Sequence, residues 1–242
     1  MKERDYKIAL LIDADNISAS YLDIIMNEAN KHGKITYTRI YGDWSEERLK
    51  AWKEHANKYS LTYVQQYANL SNKGNVSDFT LVIDAMDILY SNKADAFCIV
   101  SSDSDFTKLV IRLKEDNMYV IGMGESKTPE VLVNSFERFY YLDKISGEQQ
   151  KTNKNNNGHS QITDKETIIN SLKEIIKENE EENGWAYWSL VADQLRKKYP
   201  GFDPINYGER MKALTFFKRI ELFEVSNKEK VAYIRIRPKN KK

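Results

Sequence analysis

The sequence predicts an α/β fold, a mostly parallel sheet with helices on both faces, followed by a small α+β domain of winged-helix outline. Three observations predict it. Strand-sized apolar runs alternate with helical spacings over residues 1–145, periodicity vanishes over residues 146–162, and beyond them three helical segments lead into two alternating runs.

The elements follow in chain order. KIALLID (7–13) is a nearly continuous apolar run ending in acid, the pattern of a strand buried on both faces. Residues 35–41, 61–65, 96–101 and 119–123 repeat the pattern more weakly. Helical spacing links Tyr21, Leu22, Ile25, Met26 and Ala29, then residues 77–90, then Phe106, Leu109, Val110 and Leu113. In the second domain, 163–177 reads as an amphipathic helix with a capping box at Thr163 and Glu166. A second helix spans 188–199 and stops at Pro200-Gly201, a third covers 207–217, and two runs flanking Ser226-Asn227 form a hairpin. The domains expected are therefore 1–145, a flexible linker at 146–162, a winged-helix domain at 163–237, and a basic tail at 238–242.

Composition narrows the function classes. A lone Cys98 among 242 residues excludes an internal disulfide and every multi-cysteine metal site. The longest apolar runs are strand-sized, so no membrane partner is expected, and the charged start MKERDYK lacks an apolar signal segment, so the expected location is cytoplasmic. The net charge of +1 hides an asymmetry: residues 1–145 sum to −4 and the remainder to +5. An acidic half is joined to a basic half.

Ligands of an open parallel sheet sit beyond the carboxyl ends of its strands, and two strand ends here are rich in acid. The first gives Asp13-Ala14-Asp15-Asn16 and the fourth gives Ser101-Ser102-Asp103-Ser104-Asp105. Carboxylates crowded at the end of a buried strand repel one another unless a cation neutralises them. Oxygen donors without His or Cys favour Mg²⁺ or Mn²⁺ over zinc. A helix starting near Ser77, its expected N-cap, runs antiparallel to the strands, which brings Asp78 in its first turn to the same edge. Asp84 lies six residues further on, about 9 Å along the helix, where it suits a supporting role. Lys73, Lys127 and Arg39 are candidate cations for a polyanion near the strand ends. Arg196, Lys197 and Lys198 form a basic run in the second domain, and Trp188, beside Trp185 and Tyr187, is a candidate for base stacking.

LLIDADNI, KGNVSDFTLVIDAMDILY, FCIVSSDSDFTKLVIRLKE and GMGESKTP, in that order, resemble the NYN domain of the PIN-like nuclease group over about residues 5–143. The resemblance implies a PIN-like, metal-dependent ribonuclease fold. Its acids map onto Asp13, Asp78, Asp103 and Asp105, with Asn16 and Asp84 as supporting positions. GWAYWSLVADQLRKKYPGFDPINYG, LFEV and VAYIRIR are similar to a LOTUS (OST-HTH) domain over about residues 163–237, which implies a winged-helix RNA-binding module.

The expected function is hydrolysis of RNA phosphodiester bonds at the Asp cluster with Mg²⁺ or Mn²⁺ as cofactor. Asp13 and Asp103 are the expected direct ligands, and Asp78 and Asp105 complete the shell or orient the water. Single-stranded or structured RNA is the expected partner, recruited by the C-terminal domain. The alternative is a non-cleaving RNA-binding regulatory protein. A phosphatase is disfavoured because Ile17 breaks the Asp-x-Asp pattern. Acyl transfer is disfavoured because Ser101 and Ser102 lack the Gly-x-Ser-x-Gly setting of a nucleophile elbow. Dinucleotide binding is disfavoured because Gly122-Met123-Gly124 follows the fifth strand and has no third glycine. The scattered His32, His55 and His159 have no ligand spacing.

Overall fold

The computed structural model describes residues 6–56, 58–65, 76–147 and 162–238. The first domain runs β1 (Tyr6–Asp13), α1 (Leu22–Asn30), β2 (Gly33–Gly42), α2 (Lys50–Ala56), β3 (Thr62–Gln65), α3 (Val76–Tyr90), β4 (Ala96–Val100), α4 (Thr107–Glu115), β5 (Tyr119–Gly124), α5 (Glu130–Val133), β6 (Arg138–Tyr141) and α6 (Leu142–Ser146). Its six strands form one parallel sheet in the order β3-β2-β1-β4-β5-β6. Alternate residues of β1 serve opposite cores. Ile8, Leu10 and Ile12 pack with Leu22, Ile25 and Trp52 on one face, while Ala9 and Leu11 pack with Leu81, Ala85 and Val110 on the other. Such two-sided burial accounts for the unbroken apolar run. Because the strand order reverses between β1 and β4, the crossing connections diverge there and open a crevice beyond their carboxyl ends. No helix among the described residues is long and apolar enough to cross a membrane.

The second domain runs α7 (Lys165–Asn179), β7 (Ala186–Tyr187), α8 (Trp188–Lys198), α9 (Ala213–Lys218), β8 (Phe223–Lys228) and β9 (Val231–Ile236). Its strands form a small antiparallel sheet in the order β7-β9-β8, and helices followed by this hairpin make the winged-helix outline. Three local expectations need correction. The cap of α7 is Asp164, whose carboxylate accepts from the Thr167 amide at 2.8 Å and the Thr167 hydroxyl at 2.6 Å, so the helix starts after the expected Thr163 box. The hairpin turns at Glu229-Lys230, both at positive φ (48° and 69°), and Ser226 and Asn227 lie inside β8. Left-handed φ at both turn positions gives the twist a two-residue hairpin needs, here without the usual Asn or Gly. The third helical segment is shorter than expected, a 3-10 turn at Pro204–Tyr207 and then α9.

The two domains meet along β6. Its outer edge has no strand partner among the described residues; instead Pro200 O accepts from the Phe139 amide at 3.0 Å. The Asn206 side chain imitates a strand. It donates to Phe139 O at 2.8 Å and accepts from the Tyr141 amide at 2.9 Å, while a second donation to Gly201 O at 2.9 Å ties it to its own domain. The local sequence explains its pose. Asp203 caps the 3-10 turn by accepting from the Ile205 amide, Pro204 presets its first position, and Gly208 closes it at φ 80°. Beside this contact, Arg138 pairs with Asp203 at 3.5 Å and reaches the Tyr140 hydroxyl, which also bonds His32 Nε2 at 2.9 Å. Of the expected linker, residues 148–161 lie outside the described residues, as do Lys73 and the last four residues of the tail. Asn206→Ala would leave two carbonyls and an amide at the seam without this partner, so a loss of about 2–3 kcal/mol is expected, read by chemical denaturation. A change below about 0.5 kcal/mol would mean that the seam contributes little.

Candidate active site

The acidic strand ends converge in the crevice, and backbone and hydroxyl donors hold them there. Asp13, the last residue of β1, is 2% exposed. Its carboxylate accepts from the Ser101 hydroxyl at 2.8 Å and from the Asp15 amide at 3.2 Å. Ser101 Oγ in turn accepts from the Asp103 amide at 3.1 Å, so one hydroxyl links the acids of β1 and β4. Asp103 caps the 3-10 turn Ser104–Phe106 by accepting from the Asp105 amide at 2.9 Å. Asn16 accepts from the Ser102 amide at 3.1 Å, joining the two loops a second time. A short strand, a hydroxyl pair and an Asp-capped turn are therefore enough to aim these side chains.

Asp78 completes the cluster from the first turn of α3. The electrostatics show the convergence. Burial pushes the Asp13 carboxyl up to about 7, with the charges of Asp78 and Asp15 adding to it and the Ser101 hydrogen bond opposing it. Burial also pushes Asp78 up to about 6, followed by the charges of Asp103, Asp105 and Asp15. Carboxylates from three elements thus lie in one another's field.

Asp84 lies apart. It accepts from the Tyr41 hydroxyl at 2.9 Å and pairs with Arg39 at 2.7 Å. It fixes a buried tyrosine of β2, and it neutralises Arg39, one of the expected polyanion cations. Lys127 pairs with Glu125 at 2.8 Å. In the second domain, Lys197 pairs with Asp193 at 2.9 Å, Lys198 lies 3.6 Å from Glu174, and Arg196 is half-buried with its Nε on Ala192 O. The Trp188 ring packs against Phe217 with centroids 6.0 Å apart.

Several site residues were not legible as such. Ser101 is the pin between β1 and β4, and its signal was a hydroxyl directly after the buried run Phe97-Cys98-Ile99-Val100. Arg48 clamps Asp15 at 2.7 Å and also donates to Asp15 O. Nothing in the local sequence announces that contact, because the two residues are 33 apart. Glu125 is a buried acid just past β5, with its amide bonded to Ser102 Oγ at 2.9 Å.

A model of the NYN domain family matches residues 7–143, more than half of the sequence. The chain belongs to the NYN domain family. The NYN domain places it among PIN-like nucleases and ties its function to nucleic acid, with RNA as the substrate class the domain suggests. No curated protein matches the chain. One solved structure that is similar is a protein of unknown function from Vibrio parahaemolyticus, 18% identical, covering 59% of this chain and 96% of that one, with a TM-score of 0.49.

PIN-like nucleases are in general dependent on divalent metal. The donor chemistry of this NYN domain fits such an ion: the converging side chains are all hard oxygen donors, and two of them carry carboxyls pushed up by burial and mutual repulsion. Among the described residues, no three acidic, histidine or cysteine side chains already surround a common point. The cluster supplies the charge, while a closed coordination shell is not preassembled.

Proposed function

We propose that the protein is a metal-dependent ribonuclease that hydrolyses RNA phosphodiester bonds at Asp13, Asp78, Asp103 and Asp105, with RNA recruited by the C-terminal domain. The observation that carries this reading is the convergence of carboxylates from β1, α3 and the loop after β4 in the crevice of an NYN domain. Asp13 and Asp103 would hold the cation, Mg²⁺ or Mn²⁺, with Asp78 and Asp105 completing its surroundings. When bound, such an ion lowers the pKa of a water and stabilises charge building on the phosphate. The chain's own residues do the rest. Ser101 holds the Asp13 carboxylate in place and fixes the loop bearing Asp103, and Asn16 locks the two loops together. The resemblance of residues 163–237 to LOTUS domains and the +5 charge after residue 145 support recruitment by the second domain.

The test is incubation of the purified chain with single-stranded RNA, duplex RNA and DNA, each with Mn²⁺, Mg²⁺ or EDTA. Cleavage of RNA with metal, none in EDTA, and loss on Asp103→Ala are expected. Tight RNA binding without cleavage under any metal would favour a non-cleaving regulatory protein. Ser101→Ala gives a finer check. Loss of its hydrogen bond raises the Asp13 carboxyl further, so activity near neutral pH should fall about tenfold. The acid limb of the pH–rate profile should also move to higher pH. An unchanged profile would remove Ser101 from the site.

A further inference from the structure

The basic run at residues 196–198 is not the surface best suited to meet RNA, since Lys197 and Lys198 face Asp193 and Glu174, and Trp188 packs on Phe217. The small sheet offers a different one. Its pairing Tyr187↔Tyr233 and Glu224↔Arg235 puts these side chains on one face, because Ala186, Ile234 and Phe223, which alternate with them, are fully buried in the domain core. Tyr187 is 41% exposed, and its ring stands 4.9 Å from that of Tyr233. Next along β9, the Arg235 guanidinium lies 4.5 Å above the Trp185 ring, and past the strand's end Arg237 is exposed. The single carboxylate of Glu224 is shared by both arginines.

We infer that this outer face of β7-β9-β8 is a binding surface for single-stranded RNA, with Tyr187, Tyr233 and the Trp185–Arg235 pair stacking on bases and Arg237 meeting phosphate. Cross-strand aromatic pairs stabilise many sheets, but here the pair runs on into a guanidinium-capped ring and an exposed arginine on the same face. Rings alternating with guanidinium groups match a polymer that alternates flat bases with anionic phosphates. Residues two apart on β9 recur about every 6.7 Å, a spacing that lets successive side chains meet successive nucleotides of an extended strand. Glu181 lies beside the Tyr187 hydroxyl and Glu224 is shared by the two arginines, so the row is close to neutral and stacking on its rings carries the recognition, with Arg237 adding a phosphate contact. A flat sheet face also disfavours duplex RNA, whose bases are stacked on each other and closed to it. The choice of RNA rests on the proposed function, and the surface itself rests on this geometry.

The test is fluorescence anisotropy with the full chain and a labelled oligouridylate of roughly 12 nucleotides, in EDTA so that cleavage plays no part. Wild type should bind it, and should bind duplex RNA of the same length more weakly. Tyr187→Ala should weaken binding about 5- to 100-fold, and Tyr187→Phe should restore it, which shows that the ring matters rather than the fold. Arg237→Ala should lower the slope of log affinity against log salt by about 0.7. Lys197→Ala, at a lysine of α8 paired with Asp193, should change little. Unaltered binding in Tyr187→Ala, or loss in Lys197→Ala instead, would overturn the assignment. So would absence of RNA binding by wild type at about 50 mM salt. Because no step of this measurement needs turnover, failure here leaves the cleavage assay untouched, and a catalytically dead chain that still binds would leave this surface standing.

Discussion

Asp13→Asn is expected to abolish metal-dependent cleavage, with a loss on the order of a hundredfold or more, while the fold stays intact. Asparagine has the same shape, keeps an oxygen for the Asp15 amide, and can donate from its nitrogen to Ser101 Oγ in place of the bond it now accepts at 2.8 Å. The loss would therefore report the missing charge. Steady-state cleavage of a single-stranded substrate, with circular dichroism to confirm folding, measures it. Activity within a few-fold of wild type would remove Asp13 from the chemistry.

The same substitution should stabilise the metal-free protein, and increasingly so as pH rises. The sign follows from Asp13, whose carboxyl is raised from 3.8 to about 7 in the folded chain. The stability linked to its protonated form is complete below about pH 4 and is lost as pH rises through about 7. The difference approaches 4 kcal/mol for so buried a group. His32 works the other way. Burial beside Arg138 and Lys31 holds it down to about 4, so it costs stability as pH falls from about 6.5 towards 4. The windows overlap, but Asp78, raised to about 6, adds to the loss from Asp13, so His32 offsets only part of it and wild-type stability in EDTA should decline as pH rises through the acid range. Only the difference between Asp13→Asn and wild type isolates the carboxylate. That difference should be small near pH 4, grow steadily above it, and reach several degrees of melting temperature near pH 8, and saturating Mn²⁺ or Mg²⁺ should shrink it by neutralising the cluster in wild type. A gap that is constant across pH would mean that Asp13 is not held in a repelling field.

The legibility of this chain follows burial. β1 and β4 could be read because both faces of each strand are covered, which forces a run of apolar residues, and the acids stand where each run stops. The supporting distance of Asp84 could be read from helix rise, although its partners Arg39 and Tyr41 come from another strand and leave no local trace. β6 escaped detection because four residues, Arg138–Tyr141, carry no period to recognise. β7 is shorter still, and its Tyr187 looks like the start of the following helix. The hairpin turn was misplaced because Ser226-Asn227 has turn chemistry and Glu229-Lys230 does not, so pairing across the sheet overrode local preference. Asn206 looked like a turn residue and is one, but its amide also serves another domain 65 residues earlier in the sequence.

That amide carries a consequence for how the protein behaves when divided. A bare edge strand is a template for pairing with any other exposed strand, and sheets that end in one tend to polymerise unless the edge is covered. Here the cover over Phe139 and Tyr141 is supplied by Pro200 and Asn206 of the second domain. A protease nick between Gly147 and Ile162 would leave the halves clasped. The N-terminal half expressed alone would expose β6 and gain a route to self-association, so a soluble nuclease half would call for a charged or proline substitution on that strand as a substitute guard.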